Sequence, residues 1–146
     1  MKKLIVAIML SIPFTCHAAD WDKTEIGLEA TFVALSVIDW GQTLKMSDNN
    51  WKTGKYTPEH YEIKRHESNL LLGRHPSRGE INLYFPLYIV SNAVIAHYLP
   101  DLVMAFGGSE EAGKTTKKIF QSIYIGVELE PVISNISCQG GLKMSF

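Results

Sequence analysis

The feature that most constrains the fold is a long apolar stretch, Thr24 to Leu44, that carries acidic side chains. An apolar helix that faces lipid or a protein core normally has none. At about 100° per residue its polar side chains gather toward one side: Glu25, Glu29, Ser36 and Thr43, with Asp39 at the edge and Gln42 further round. The other side is apolar. This pattern predicts a helix that turns its carboxylates toward other helices.

Two later segments repeat this design, Ile81 to Leu99 and Lys118 to Ile136. Each is apolar, and each has polar side chains that recur on neighbouring helical turns. These are Tyr84, Tyr88 and Asn92 in the second segment, and Gln121, Glu128 and Asn135 in the third. We therefore predict an all-α fold, a three-helix membrane-associated bundle. Pro100 and Asp101 are expected to close the second helix.

Composition excludes some classes of partner. The chain has 146 residues, 46% of them hydrophobic and 20% charged, with a net charge of −1. This balance gives no electrostatic reason to expect nucleic-acid binding. The mean hydropathy of +0.01 is low for a protein that resides in lipid, and it argues against the membrane prediction.

The N-terminus predicts export. Lys2 and Lys3 precede an apolar run, Leu4 to Phe14, that is of signal-peptide length and short for a membrane span. Small residues at Cys16 and Ala18 favour cleavage before Ala19. We predict a signal peptide at residues 1–18 and a single helical domain at 19–146. An uncleaved anchor is the alternative. The pattern is typical of bacteria and indicates the cell envelope.

The inner membrane is the preferred location. The apolar residues of each segment contribute on the order of −4 kcal/mol to insertion, which one or two central acids can cancel. Three helices together can hide those acids from lipid. The basic Lys45–Arg78 loop would then face the cytoplasm, as the positive-inside bias favours. Lys117 and Lys118 would lie on the outside, against that bias. A periplasmic helical bundle is an alternative.

An outer-membrane β-barrel is the other alternative. The chain ends at Phe146, and Gly141-x-x-Met144-x-Phe146 resembles the terminal strand signal of such barrels. Residues 123–130 alternate strictly between the two faces of a strand. Pro86 and Pro131 argue against strands at their positions. A short C-terminal strand on a helical protein is also left open.

One nucleotide-binding pattern is present by letter only. Gly108 to Thr115 matches GxxxxGK[ST], which binds phosphate when it lies between a strand and a helix. Glu110 and Glu111 would face the phosphates, and the chain after the motif is too short for further parallel strands. We interpret the segment as a turn followed by a helix start, and we expect no nucleotide and no cofactor.

The polar residues of the three segments converge if the helices pack together. The candidates are Glu29, Asp39, Gln42, Asn92, Glu128 and Asn135. One hypothesis is a site for a proton, a cation or a lipid headgroup; a second is an enzyme using Glu29, Asp39 and Glu128 as acid and base. The alternative is hydrogen bonding that holds helices together. The histidines lack metal-ligand spacing, so no metal is expected.

Several motifs together resemble a known group of proteins. They are Asp39-Trp-Gly-Gln-Thr43, the element Glu67-x-Asn69-x-x-Leu-Gly73-x-x-Pro76-Ser77, Gly126-Val-Glu128 and Asn135. The chain resembles a loose family of small exported or membrane proteins of proteobacteria and their phages, in which Asn-Pro stands where this chain has Asn69-Leu70. The resemblance implies a helical architecture without a specified activity.

The same element supplies loop candidates: Glu67, Asn69, Gly73, His75 and Pro76. Gly73 and Pro76 are typical of a structured turn before the second helix. Arg74, His75 and Arg78 suit contact with lipid phosphate at the membrane interface. The expected partners are therefore membrane lipid or an envelope protein.

Overall fold

A computed structural model describes residues 21–49, 51–56, 62–64, 71–73, 75–139 and 141–146. Three helices dominate it: α1 (Lys23–Asp48), α2 (Arg78–Ala105) and α3 (Glu110–Gln139). The predicted all-helical class is confirmed for these main elements. The predicted signal peptide, residues 1–18, lies outside the described ranges, as do Glu67 and Asn69.

A small sheet was not predicted. Strands β1 (Lys52–Tyr56) and β2 (Glu62–Lys64) pair antiparallel between α1 and α2, with Lys52 opposite Lys64. The hairpin lacks the apolar alternation from which a strand is recognised in a sequence.

A capping box fixes the start of α1. The Thr24 and Glu25 amides donate to Asp22 Oδ1 at 2.8 and 2.9 Å, and the Asp22 amide donates to Glu25 Oε2 at 2.9 Å. This reciprocal pair satisfies amides that the first helical turn leaves free. Asp22 is therefore the N-cap residue of α1.

Helix α2 runs through Pro100 and ends at Ala105, so the expected end at Pro100 is wrong. The stop is a Schellman turn: the Gly107 amide donates to the Met104 carbonyl at 2.9 Å, and the Gly108 amide donates to the Val103 carbonyl at 3.0 Å. Gly107 has φ +86°, a conformation in which glycine carries no steric penalty. The turn leads directly into α3.

The segment with the phosphate-loop letters is a helix end, a turn and a helix start. The Ser109 hydroxyl accepts the Ala112 amide at 3.1 Å and so caps α3. The residues before the motif, 102–105, belong to α2 and not to the strand that a phosphate-binding loop requires. Lys114 forms an ion pair with Glu110 at 2.6 Å, one turn back on the same helix.

Substituting Gly113 with Ala is expected to destabilise the protein by about 1–3 kcal/mol, as overpacking usually does. A Cβ at Gly113 would lie 2.9 Å from Pro100 Cα and 3.1 Å from its carbonyl oxygen, so backbone would have to move. Gly126→Ala is the matched control, because a Cβ there meets nothing within 4 Å. Thermal unfolding of the two variants measures the difference; equal melting temperatures would contradict the close contact.

The described chain divides into two compact units, and each helix contributes to both. The first unit combines Met1–Val33 with Pro86–Gly126, and the second combines Ala34–Phe85 with Val127–Phe146. In the first unit the core residue Phe32 contacts Tyr88 and Tyr124 edge-on, with ring centroids 5.6 and 6.1 Å apart.

In the second unit, Trp40 stacks on Phe85 with centroids 6.3 Å apart and planes 8° apart. Its indole nitrogen donates to Asn82 Oδ1 at 3.0 Å. The edge of Phe146 meets the same indole at 6.0 Å. The C-terminal residues are therefore part of this unit's packing.

Two strand expectations are wrong. Residues 123–130, with their alternating pattern, lie inside α3, and residues 141–146 form no strand. These last residues pack against α1 instead: the Ser145 amide donates to the Gly41 carbonyl at 2.9 Å. A Cβ at Gly41 would lie only 2.8 Å from Phe146 Cζ, so the absence of a side chain there permits the contact.

Candidate functional site: two buried polar clusters

The distribution of polar and apolar side chains is partly inverted. Many buried positions hold polar or charged residues: Glu25, Glu29, Ser36, Asp39, Gln42, Thr43, Asn92, Lys117, Gln121, Glu128 and Asn135. Large apolar side chains of α2 and α3 are exposed, among them Leu83, Leu87, Val94, Ile119, Ile123, Val127 and Ile133. Charged residues are rarely buried in water-soluble proteins unless they are paired. The polar interior is therefore the candidate site, and it forms two clusters, one in each unit.

The Glu25 cluster, in the first unit, consists of Glu25 and Glu29 of α1 with Lys117 and Gln121 of α3. Lys117 Nζ lies 3.0 Å from Glu25 Oε2, and the two side chains are only 5% and 3% exposed. The ammonium also lies 4.3 Å from the centroid of the Trp21 ring. A buried ion pair of this kind needs close geometry and further hydrogen bonds to offset desolvation, and the capping box supplies one to Glu25.

Gln121 bonds to the Glu29 carboxylate and to the main chain at Glu25. Its side-chain amide donates to Glu29 Oε2 at 3.1 Å and to the Glu25 carbonyl at 3.2 Å. The second carboxylate oxygen of Glu29, Oε1, is buried and has no hydrogen-bond partner. The same is true of the side-chain oxygen of Gln121, Oε1. Two buried acceptors without a donor are costly, about 1–3 kcal/mol each. The hydrogen bonding of the cluster is therefore unsatisfied at two acceptors.

Both helices bring these groups together by the same spacing. Glu25 and Glu29 are four residues apart, as are Lys117 and Gln121, so each pair lies on one face one turn apart. Because Glu25 meets Lys117 and Glu29 meets Gln121, α1 and α3 run in the same direction in this unit. Gln121 belongs to the predicted polar stripe of the third segment. Lys117 was predicted to lie on the outer side of the membrane and was not among the candidate site residues.

The Asp39 cluster, in the second unit, contains two hydrogen bonds between α1 and α3. Asn135 of α3 donates to Asp39 Oδ1 of α1 at 2.9 Å. The Gln42 amide donates to the Val132 carbonyl at 3.4 Å. Ser36 and Thr43 are fully buried beside these residues on α1, and their hydroxyl oxygens have no partner. Amide–carboxylate bonds of this kind hold apolar helices together.

All six predicted cluster residues are buried, between 0% and 8% exposed. Asp39 and Asn135 bond to each other, Gln42 reaches α3, and Glu29 bonds to Gln121. Glu128 is buried in the second unit. Asn92 of α2 is 2% exposed in the first unit, and neither atom of its amide has a hydrogen-bond partner.

Of the predicted loop residues, Gly73, His75 and Pro76 are described by the structure, and all three belong to the second unit. Gly73 is exposed with φ +73°. Pro76 is buried, and its carbonyl accepts the Ser47 hydroxyl at 3.4 Å. His75 is exposed, with its ring centroid 5.9 Å from that of Trp51. These contacts describe a structured turn, as predicted from the Gly and Pro positions.

Asp48, at the end of α1 beyond its apolar part, anchors a third polar group. Arg78 Nη1 lies 2.6 Å from Asp48 Oδ1, and the Ser145 hydroxyl donates to Oδ2 at 2.6 Å. The hydrogen bond from Arg78, then that from Ser145, lowers the pKa of Asp48 below its ordinary value of 3.8. The group links the ends of two helices to the C-terminal residues.

This lowered pKa sets the direction of a pH effect. The folded state binds the Asp48 proton less tightly than the unfolded state, so its contribution to stability is present above pH 3.8 and is lost as the pH falls further. Asp48→Asn should cost at most about 1 kcal/mol at neutral pH, because the pair is partly exposed. Unfolding at pH 7 and at pH 3 measures the effect: the stability difference between wild type and variant should be smaller at pH 3 than at pH 7, and a constant difference would contradict the assignment.

One helix among the described residues, α2, is long and apolar enough to cross a membrane. Only 17% of its most apolar window is buried.

The described residues contain no group of three or more His, Cys, Asp or Glu arranged to hold a metal ion. Comparison of the chain with models of known protein families, with curated proteins and with solved structures finds no match.

Proposed function

We propose that this chain is a small integral membrane protein of the bacterial envelope whose polar interior binds a protein partner, a lipid or an ion. The observation that carries the proposal is the exposed apolar surface of α2. Leu83, Leu87 and Val94 are 64%, 56% and 50% exposed, whereas the core helix of a soluble protein buries such residues. Large exposed apolar surfaces mark contact with a protein or a membrane.

The length of α2 suits a lipid bilayer. A helix of 28 residues extends about 42 Å at a rise of 1.5 Å per residue. The hydrocarbon core is about 30 Å thick, so the helix can cross it and project at both ends. Arg78 and Glu80 lie at one such end, where charged side chains reach the interface.

The buried clusters support the same proposal. In lipid, ionisable side chains face the interior of a bundle and pair with each other, as Glu25 does with Lys117. That pairing also removes a difficulty in the predicted topology. Lys117 is a buried partner of an acid and Lys118 bonds to Asp22 at 2.7 Å, so neither is an unpaired positive charge on the outer side.

Membrane fractionation tests this proposal. The full chain, expressed in a bacterial host, is expected to sediment with the inner membrane and to stay there after alkaline carbonate extraction. A variant with Gln at Leu83, Leu87, Val94 and Leu102 is the control, and it should be released or degraded. Release of the wild-type chain by carbonate, or its recovery with soluble periplasmic proteins, would overturn the proposal.

A further inference from the structure

Two buried oxygen atoms at the Glu29–Gln121 contact have no hydrogen-bond partner. Gln121 Nε2 donates to Glu29 Oε2 at 3.1 Å. The remaining oxygens of the two groups, Glu29 Oε1 and Gln121 Oε1, have no partner. Glu29 Oε1 shares its carbon with Oε2, and Gln121 Oε1 shares its carbon with Nε2. The two acceptors without a partner therefore lie beside the same hydrogen bond. Both only accept hydrogen bonds when Glu29 is ionised.

One proton would satisfy both atoms. A protonated carboxyl is a donor as well as an acceptor, so a hydrogen on Glu29 Oε1 can be donated to Gln121 Oε1. The acid and the amide then form a closed ring of two hydrogen bonds, with the amide N–H donating one way and the acid O–H donating the other. The step takes one proton from water and leaves hydroxide, and no other bond changes.

The charges and the burial around the contact also favour a proton on Glu29. Lys117 pairs directly with Glu25 at 3.0 Å, and its charge acts on the Glu29 carboxylate only as a minor influence beside the burial of that group. On α2, Tyr88 contacts Phe32, which lies one turn from Glu29 on α1. Glu29 itself is 2% exposed and Gln121 is 0% exposed, so water does not solvate the charge.

We propose that Glu29 and Gln121 form a site that binds one exchangeable proton, with Glu29 as the proton carrier and Gln121 as its positioning residue. The site is more specific than the membrane proposal and does not depend on it, because protein atoms alone bury both side chains. The closed ring exists only in the protonated form. Release of the proton opens it and returns a charge to the interior between α1 and α3.

Infrared spectroscopy of the purified full chain in detergent tests the site. At pH 7 the wild type is expected to show the C=O band of a protonated carboxyl. Glu29→Gln should lower the intensity of that band by the contribution of one carboxyl group. The variant should still fold, because two side-chain amides can form the same ring of two hydrogen bonds without taking up a proton. Asp39→Asn, in the other cluster, is the matched control and should leave the Glu29 band in place.

A second variant keeps the test decisive if Glu29→Gln does not fold. Gln121→Leu retains the carboxyl but removes its acceptor, so the band should persist and move to higher frequency. The proposal is overturned if the wild type lacks the band at pH 7, if Glu29→Gln leaves it unchanged, or if Gln121→Leu leaves its frequency unchanged. Loss of the band on replacing K⁺ with Na⁺ would also overturn it, in favour of a sodium site.

Discussion

Replacing Lys117 with Met is expected to lower the free energy of unfolding by about 3–5 kcal/mol, the usual cost of leaving one member of a buried ion pair without its partner. The Lys117 and Glu25 side chains are 5% and 3% exposed and 3.0 Å apart. Without the ammonium, the Glu25 carboxylate keeps the Asp22 amide as its hydrogen-bond donor but loses its counter-charge. Chemical unfolding in detergent, followed by circular dichroism, measures the loss.

Two controls separate the buried pair from other effects of the substitution. The double variant Lys117→Met with Glu25→Gln should recover much of the lost stability, because a paired charge has been exchanged for neutral groups. Lys118→Met removes the neighbouring lysine, which is exposed and pairs with Asp22, and it should cost much less. Equal effects of the Lys117 and Lys118 substitutions would contradict the buried pairing.

Replacing Val94 with Lys is expected to oppose membrane insertion by about 2.5–3.5 kcal/mol, the cost of a charge near the centre of a spanning helix. Val94 is 50% exposed and lies near the middle of α2. On a water-exposed surface the same substitution changes stability by only about 0.5 kcal/mol. The amount of chain that resists carbonate extraction measures the effect.

Leu102→Lys is the matched control for this substitution. Leu102 is 53% exposed, as Val94 is, but it lies near the C-terminal end of α2. A lysine there can extend its ammonium to the interface, so a smaller loss of insertion is expected. If both variants behave like the wild type, α2 faces water and the membrane proposal fails.

The three helices could be predicted because each repeats polar residues at helical spacing within an apolar segment. Their ends could not, since Pro100 is a common terminator that α2 accommodates internally. The helix ends instead at Ala105, because Gly107 adopts the left-handed backbone conformation of a Schellman turn. Strand β1 (Lys52–Tyr56) was missed because its residues KTGKY show no apolar alternation. The alternative of a strand within residues 123–130 is wrong, because a run that alternates for a few residues can also lie on a helix.

The buried positions of Asp39 and Asn135 could be predicted because their spacing puts them on the polar stripes of α1 and α3. Lys117 could not be assigned in the same way, since a lysine at the start of an apolar segment is usually a solvated flank. Its position four residues before Gln121 was the available signal. The role of Phe146 depends on packing against Trp40, which no local pattern reveals.

The most direct measurement of the central claim is the environment of α2 in a reconstituted bilayer. Nitroxide labels are placed at Val94 and at Ala96 in a chain with Cys16 and Cys138 replaced by Ser. Val94 is half exposed and Ala96 fully buried. If the account is right, the label at Val94 collides readily with oxygen, which dissolves in lipid, and rarely with a water-soluble nickel complex, whereas the label at Ala96 is shielded from both. Frequent collision of the Val94 label with the nickel complex would contradict it.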